Sequence, residues 1–178
     1  MILATDVQYI NGKGIAAGVL FENWTSSAPV GEYVSEIDID EEYIPGQFYK
    51  RELPCILKLL HEYSLSPSII VVDGYVFLDG VESPGLGKHL YDALAGKVVV
   101  VGVAKKAFTG IGTEHMILRG KSKNPVYITV VGDGLKSAKK KILSMDGKHR
   151  MPTLLKRADQ LCRERANKII SPTQIIRG

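Results

Sequence analysis

Two apolar runs do most to limit the folds open to this chain: "SIIVVDGYVFLD" at residues 68–79 and "KVVVVGVAK" at 97–105. A strand without polar alternation is one covered on both faces, the situation of inner strands in parallel sheets flanked by helices. Between the two runs, "GKHLYDAL" reads as a short helix, so the pair predicts a parallel β-α-β crossover. Upstream, "ILATDVQYI", "GIAAGVLFE" and "GEYVSEIDI" are β-rich, and the segments between them, "NGKG" and "NWTSSAPV", have turn and loop compositions. They predict an antiparallel three-strand unit. Leu53, Ile56, Leu57 and Leu60 follow the i, i+3, i+4, i+7 pattern of an amphipathic helix, with Pro54 in its first turn. "NPVYITVVG" supplies a further strand, and basic helical stretches at about 135–145 and 153–167 close the chain. The expected architecture is α/β, a mixed central sheet with antiparallel hairpin strands first and parallel β-α-β units later, flanked by helices. A chain of 178 residues suits one such domain over 1–178.

Composition narrows the setting. No apolar stretch is long enough to cross a bilayer, and the N-terminal "MILATDVQYI" lacks the basic segment of a signal peptide and carries an Asp within its apolar run. Cys55 and Cys162 both fall in expected helices, which argues for reduced thiols and a cytoplasmic setting; the sequon "NWT" is then a chance match. The net charge of +4 fits a polyanion partner without requiring one. The positive charge clusters in "KSAKKKILSMDGKHR" and "KRADQLCRERANK", either of which reads equally well as a solvated helix face. "SPGLGKHL" lacks the glycine spacing and the Ser or Thr of a P-loop, and His61, His89, His115 and His149 show no zinc-ligand spacing.

Four carboxylates stand where apolar elements stop or are broken. Asp6 interrupts the first strand, Glu52 opens the first helix, Asp73 ends "IIVVD" and Asp133 ends "VYITVVGD". In α/β sheets ligands gather beyond the carboxyl ends of strands, so acids remote in sequence can meet there. Convergent carboxylates repel unless they share protons or bind a cation, and hard oxygen donors suit Mg²⁺, with Mn²⁺ as the second choice. Two such ions would activate water and stabilise the leaving oxygen of a phosphodiester. Taken singly, each Asp of the set is more often a turn residue bonding its own backbone than a ligand.

The stretches "ATDVQY", "YIPGQFYKRELP", "VVDG", "VGVAKKAFTG" and "KNPVYITVVGDG", with a weaker echo in "RMPTLLKRADQLCRE", resemble in order the motifs of the endonuclease V family. The resemblance implies a ribonuclease H-like fold and a metal-dependent endonuclease that cuts a phosphodiester near a deaminated base, typically inosine. It implies that Asp6, Glu52 and Asp73 hold the metal. Tyr43, Ile44 and Pro45 would form a wedge that enters the nucleic acid, and Lys105 would stabilise charge developing on phosphate. Gly46 and Gly74 would let a base or sugar approach the backbone, with Lys106 and Asn124 as further nucleic-acid contacts.

The chain departs from the family pattern in several places. Gly132 and Asp133 stand where the family usually has Gly-His, which makes Asp133 a fourth candidate ligand. Tyr75, Val76 and Ser83 stand where His-Gly and later the His of His-Pro are usual, and the chain opens directly at the first strand. Two other readings therefore stay open: a non-cleaving nucleic-acid binder of the same fold, and a ribonuclease H-like nuclease for a different structured substrate.

Overall fold

A computed structural model describes residues 1–39 and 44–170. The chain runs β1 (Ile2–Ile10), β2 (Lys13–Phe21), β3 (Gly31–Asp38), α1 (Tyr49–Glu62), β4 (Ile69–Asp73), α2 (Leu86–Ala93), β5 (Val99–Ala104), a 3₁₀ turn (Thr113–His115), β6 (Met116–Ile117), β7 (Val126–Val131), α3 (Leu135–Ser144) and α4 (Thr153–Ile170). The strands form one sheet in the order β3-β2-β1-β4-β5-β7-β6. The first three are antiparallel, β1, β4 and β5 are parallel, and β7 then runs antiparallel to β5 and β6 to β7. This is the mixed sheet expected from the sequence.

The unbroken apolar runs are explained by what covers them. Val71, Val101 and Val103 pack with Ile142 of α3 and with Leu154, Ala158 and Cys162 of α4 on one face. Ile70, Val72 and Val100 pack with Ile56 and Leu60 of α1 and Leu90 of α2 on the other. Because side chains alternate between faces, a strand buried on both sides has no polar position to offer. The first hairpin turns at Asn11–Gly12, where both residues have positive φ (49° and 74°), matching the type I′ turn that suits strand twist. Both cysteines are buried free thiols on helices, and no helix among the described residues is long and apolar enough to cross a membrane.

Local details differ from expectation. The first helix starts at Tyr49, so Glu52 lies in its first turn instead of opening it, and Pro54 falls in the second. The backbone winds in early because the N–H groups of Lys50, Arg51 and Glu52 donate to the carbonyls of Gln47 and Phe48. The fourth strand stops at Asp73, and "YVFLD" belongs to a loop pinned by a bridge between Phe77 and Pro84. That loop turns tightly over β5: the Gly74 N–H donates to Val103 O (3.0 Å) and the Val76 N–H to Thr129 Oγ1 (2.8 Å). A Cβ at Gly102 would stand 2.6 Å from both Gly74 O and Thr129 Oγ1.

Both edges of the sheet are blunted. On β3, the outward carbonyl of Val34 accepts from the Tyr63 hydroxyl (2.7 Å) and that of Glu36 from the Lys58 amine, while β6 at the other edge is two residues long.

The segment joining α3 to α4 is organised by a buried cation. Arg119, 5% exposed, donates from Nη1 to His149 O (2.8 Å) and from Nη2 to Met145 O (2.7 Å) and Gly147 O (3.2 Å). Arg150 extends the scaffold by donating to Pro125 O (2.7 Å) and to the Lys105 carbonyl. Asp146 bonds the Thr153 hydroxyl (2.8 Å) and accepts the Thr153 N–H on its carbonyl, fixing the start of α4.

Two outcomes are expected. Replacing Gly102 with Ala forces the Asp73–Gly74 turn off β5, and urea unfolding should show a loss of about 2 kcal/mol. Arg119→Met takes the donor from the carbonyls of Met145, Gly147 and His149, the first of them buried, and should cost about 3 kcal/mol, whereas Arg119→Lys, which keeps a charge but fewer donors, should cost less.

Candidate active site

Strand register sets the site. Thr5 pairs with Val72 in the parallel β1–β4 ladder, so Asp6 and Asp73 continue side by side past the last paired residues. Asp73 in turn pairs with Val103, two residues before Lys105, whose Nζ lies 2.9 Å from Asp73 Oδ2. Three parallel strands therefore deliver Asp6, Asp73 and Lys105 to one sheet edge. From α1, Glu52 reaches the same place: Asp6, Glu52 and Asp73 line a cleft of about 10 Å³ together with Thr5, Ile56 and Leu86. That is about the room a single water or ion needs.

Electrostatics record the crowding. Burial raises the Asp6 carboxyl from 3.8 to about 7, with repulsion from Asp73 and Asp159 adding to it and Lys105 opposing. Glu52 rises from 4.5 to about 7, first through burial and then through Asp6 and Asp73. Among the described residues no three acid, thiol or imidazole groups are drawn close enough to form a ready-made metal cage. The donors are nonetheless all carboxylate oxygens, the set a hard divalent cation prefers, and their mutual repulsion is what such an ion relieves.

On the other side of the acids a cavity of about 370 Å³ opens between the sheet edge and α4. Val71, Val103, Met151 and Leu155 give it apolar walls, and Asp6, Asp73, Lys105, His149 and Asp159 bring polar groups to it. Asp159 is held by the Gln8 amide (3.2 Å) and Arg163 Nε (3.1 Å). The α4 thiol of Cys162 donates to Asp6 O (3.3 Å), tying that helix to the first acid.

Asp133 does not join this group. β7 is antiparallel to β5, with Ala104 opposite Tyr127 and Val100 opposite Val131. Asp133, beyond Val131, therefore lies where β5 begins, about 17 Å of strand from the edge where β5 ends at Lys105. Its oxygens accept from Lys141 Nζ (2.6 Å), the Gly134 N–H (2.7 Å) and Ser137 Oγ (2.9 Å), and Lys141 keeps its pKa low. It is a structural acid at the start of α3, the alternative reading of a strand-end Asp.

The acid missed from sequence is Asp159. It sits in "KRADQLCRE", where the abundance of cations suggested a solvated face, but it follows Ala158 on a stripe that buries Leu154, Ala158, Leu161 and Cys162. A carboxylate beside an apolar stripe was the available signal. An imidazole also reaches the site, since His149 lines the larger cavity.

Ile44, Pro45 and Gly46 are exposed before α1, and Gly46 has φ +81°; Tyr43 lies outside the described residues. Gly74, φ +144°, follows Asp73 directly. Lys106 is exposed and its carbonyl accepts from the Tyr75 hydroxyl (2.6 Å). Asn124 is exposed at the start of β7, on the site side of the sheet. Ser83 donates to Asp79 Oδ2 (3.0 Å) within the loop after β4.

A family model described as Endonuclease V matches residues 1–160. Endonuclease V from Streptomyces coelicolor is 30% identical over 91% of this chain and 77% of its own length, and that from Azotobacter vinelandii is 29% identical over 93% and 83%. Among solved structures, Endonuclease V from Streptomyces avermitilis superposes with a TM-score of 0.76 at 26% identity, covering 95% of this chain and 82% of that one. A Ciona intestinalis Endonuclease V, crystallised with a 23mer DNA containing an inosine followed by a ribo-adenosine, shares the fold with a TM-score of 0.75 at 19% identity, covering 94% and 86%. The mixed sheet, its flanking helices and these relatives agree on a ribonuclease H-like domain, and the chain belongs to the endonuclease V family.

Proposed function

We propose that this protein is a metal-dependent endonuclease that hydrolyses a phosphodiester near a deaminated base, inosine, in DNA or RNA, in a cytoplasmic setting suited to its two reduced thiols. The observation that carries the reading is the meeting of Asp6, Glu52 and Asp73, from three remote segments, at one sheet edge. Asp6, Glu52 and Asp73 would hold Mg²⁺ or Mn²⁺, with Asp159 taking the fourth place first assigned to Asp133. When bound, such an ion supplies an activated water and charge stabilisation for the leaving oxygen. Lys105, fixed on Asp73, presents a cation to the phosphate, and the exposed Ile44–Pro45 pair before α1 suits a wedge. Gly74, Lys106 and Asn124 follow or precede strands at that end of the sheet, and together with Gly46 would contact the nucleic acid. The crystallised Ciona relative, bound to inosine-containing DNA, supports this substrate class.

The departure at Gly132–Asp133 does not weigh against cleavage, because that position lies at the opposite end of the sheet. Ser83 remains a difference on the site side, occupied in bonding Asp79. Incubating the protein with an end-labelled inosine oligonucleotide and Mg²⁺ or Mn²⁺ tests the reading. A single metal-dependent cut is expected, reduced about 10³-fold in Asp73→Ala and by a similar factor in Asp159→Asn. Binding with no cut under either metal would leave a nucleic-acid binder, and preference for branched or RNA-containing structures over inosine duplexes would indicate a different nuclease.

The raised carboxyls predict a pH signature. Unfolded, Asp6 and Glu52 release their protons near 4; folded, they keep them to about 7. The folded state therefore binds more protons between these values, and stability falls as pH rises from 4 through 7. In EDTA, thermal unfolding should show a loss on the order of 2 kcal/mol across that range after allowance for screening. Mg²⁺ should restore the loss at pH 8 and do little at pH 5, and Asp6→Asn should flatten the profile.

A further inference from the structure

Two basic segments that look alike in sequence differ in the fold: α4 mixes paired arginines with the exposed Lys156 and Lys168, whereas the exposed cations of the other segment are lysines alone. On α4, the arginines are engaged: Arg157 with Glu32 and Glu164, Arg163 with Asp159, and Arg165 with Glu36. By contrast, Lys121, Lys123, Lys136, Lys140 and Lys148 are exposed and make no ion pair among the described residues. Of the acids near them, Asp133 is taken by Lys141 and Asp146 by Thr153.

These five lysines stand on neighbouring segments: the loop before β7, the segment after α3, and α3 itself. The loop carrying Lys121 and Lys123 leads into β7 at the site edge, and its Gly120 (φ +61°) lies so close to the Lys148 carbonyl that a Cβ there would collide with it. Lys148 adjoins His149 at the large cavity. From that point α3 extends along the flank of the sheet, with Lys136 and Lys140 four residues apart on its exposed stripe.

We infer that these lysines form a ridge that is a second nucleic-acid surface, holding the sugar-phosphate backbone of a duplex arm that leads away from the cleavage site. The inference rests on the nuclease reading and extends it. A cluster of acids repels a polyanion, so affinity must come from unpaired cations flanking it. Lysines are point charges without the planar fork that reads base edges, so the contact is blind to sequence. Ten residues of helix span about 15 Å, the rise of about four base pairs.

The test compares the wild type with the Lys136→Glu/Lys140→Glu double variant, which leaves the site intact. Binding is measured in EDTA across a salt series, with an inosine duplex that covers only the site and one longer by about ten base pairs. The variant should bind the longer duplex about tenfold more weakly, with a log–log salt slope shallower by about two, and should bind and cut the short duplex as the wild type does. Unchanged affinity and slope on the longer duplex would overturn the inference, as would equal losses on both lengths. Poly-glutamate binding to the ridge as tightly as the duplex arm would assign the surface to an acidic protein and also overturn it. A wild type that shows the length-dependent binding but cuts nothing would confirm the ridge and sink the nuclease reading.

Discussion

Like charges are kept together here by backbone pairing that cannot relax. The parallel ladder of β1, β4 and β5 determines where Asp6, Asp73 and Lys105 emerge, and α1 adds Glu52 from the other layer. Sliding one strand by a single residue would turn its side chains to the opposite face and break their fit against the helices on both sides. The hydrophobic packing on both faces thus holds a repulsive arrangement that the carboxylates would not adopt alone. Burial first, and that repulsion second, raise the proton affinity of Asp6 and Glu52, a strain that a divalent cation would relieve.

Much of this was legible in the chain because the signals are local. Unbroken valine runs announce inner strands, and Asp6 and Asp73 mark where those strands reach the edge. Glu52 was legible through its place beside the start of an amphipathic helix, although that helix begins earlier than the proline suggested. Asp133 misled because strand direction is not a local property. An acid at the end of an antiparallel β7 emerges on the opposite side from one at the end of a parallel strand, and nothing in "VYITVVGD" records which applies. Asp159 was hidden for a complementary reason: helix α4 packs its apolar stripe under the site, and the surrounding arginines disguise the one carboxylate that faces inward.

Two guanidinium groups, one buried and one half-buried, do structural duty that neither the charge count nor the motif pattern discloses. Arg119 is satisfied by backbone carbonyls of the segment between α3 and α4, and Arg150 by those of Lys105 and Pro125. Through these two side chains the end of β5, the start of β7 and the lead into α4 are held as one unit. His149 and Asp159 on one wall of the cavity are thereby set relative to Lys105 and Asp73 on the other.

The capped carbonyls of β3 and the two-residue length of β6 carry a consequence for how this domain meets other macromolecules. Main-chain docking, in which a visiting peptide zips onto the rim of the sheet, is hindered at one end by Tyr63 and Lys58 and starved of length at the other. Self-association into ribbons is discouraged in the same way. Recognition is left to side chains and loops, a division of labour that lets the sheet serve purely as a rigid mount.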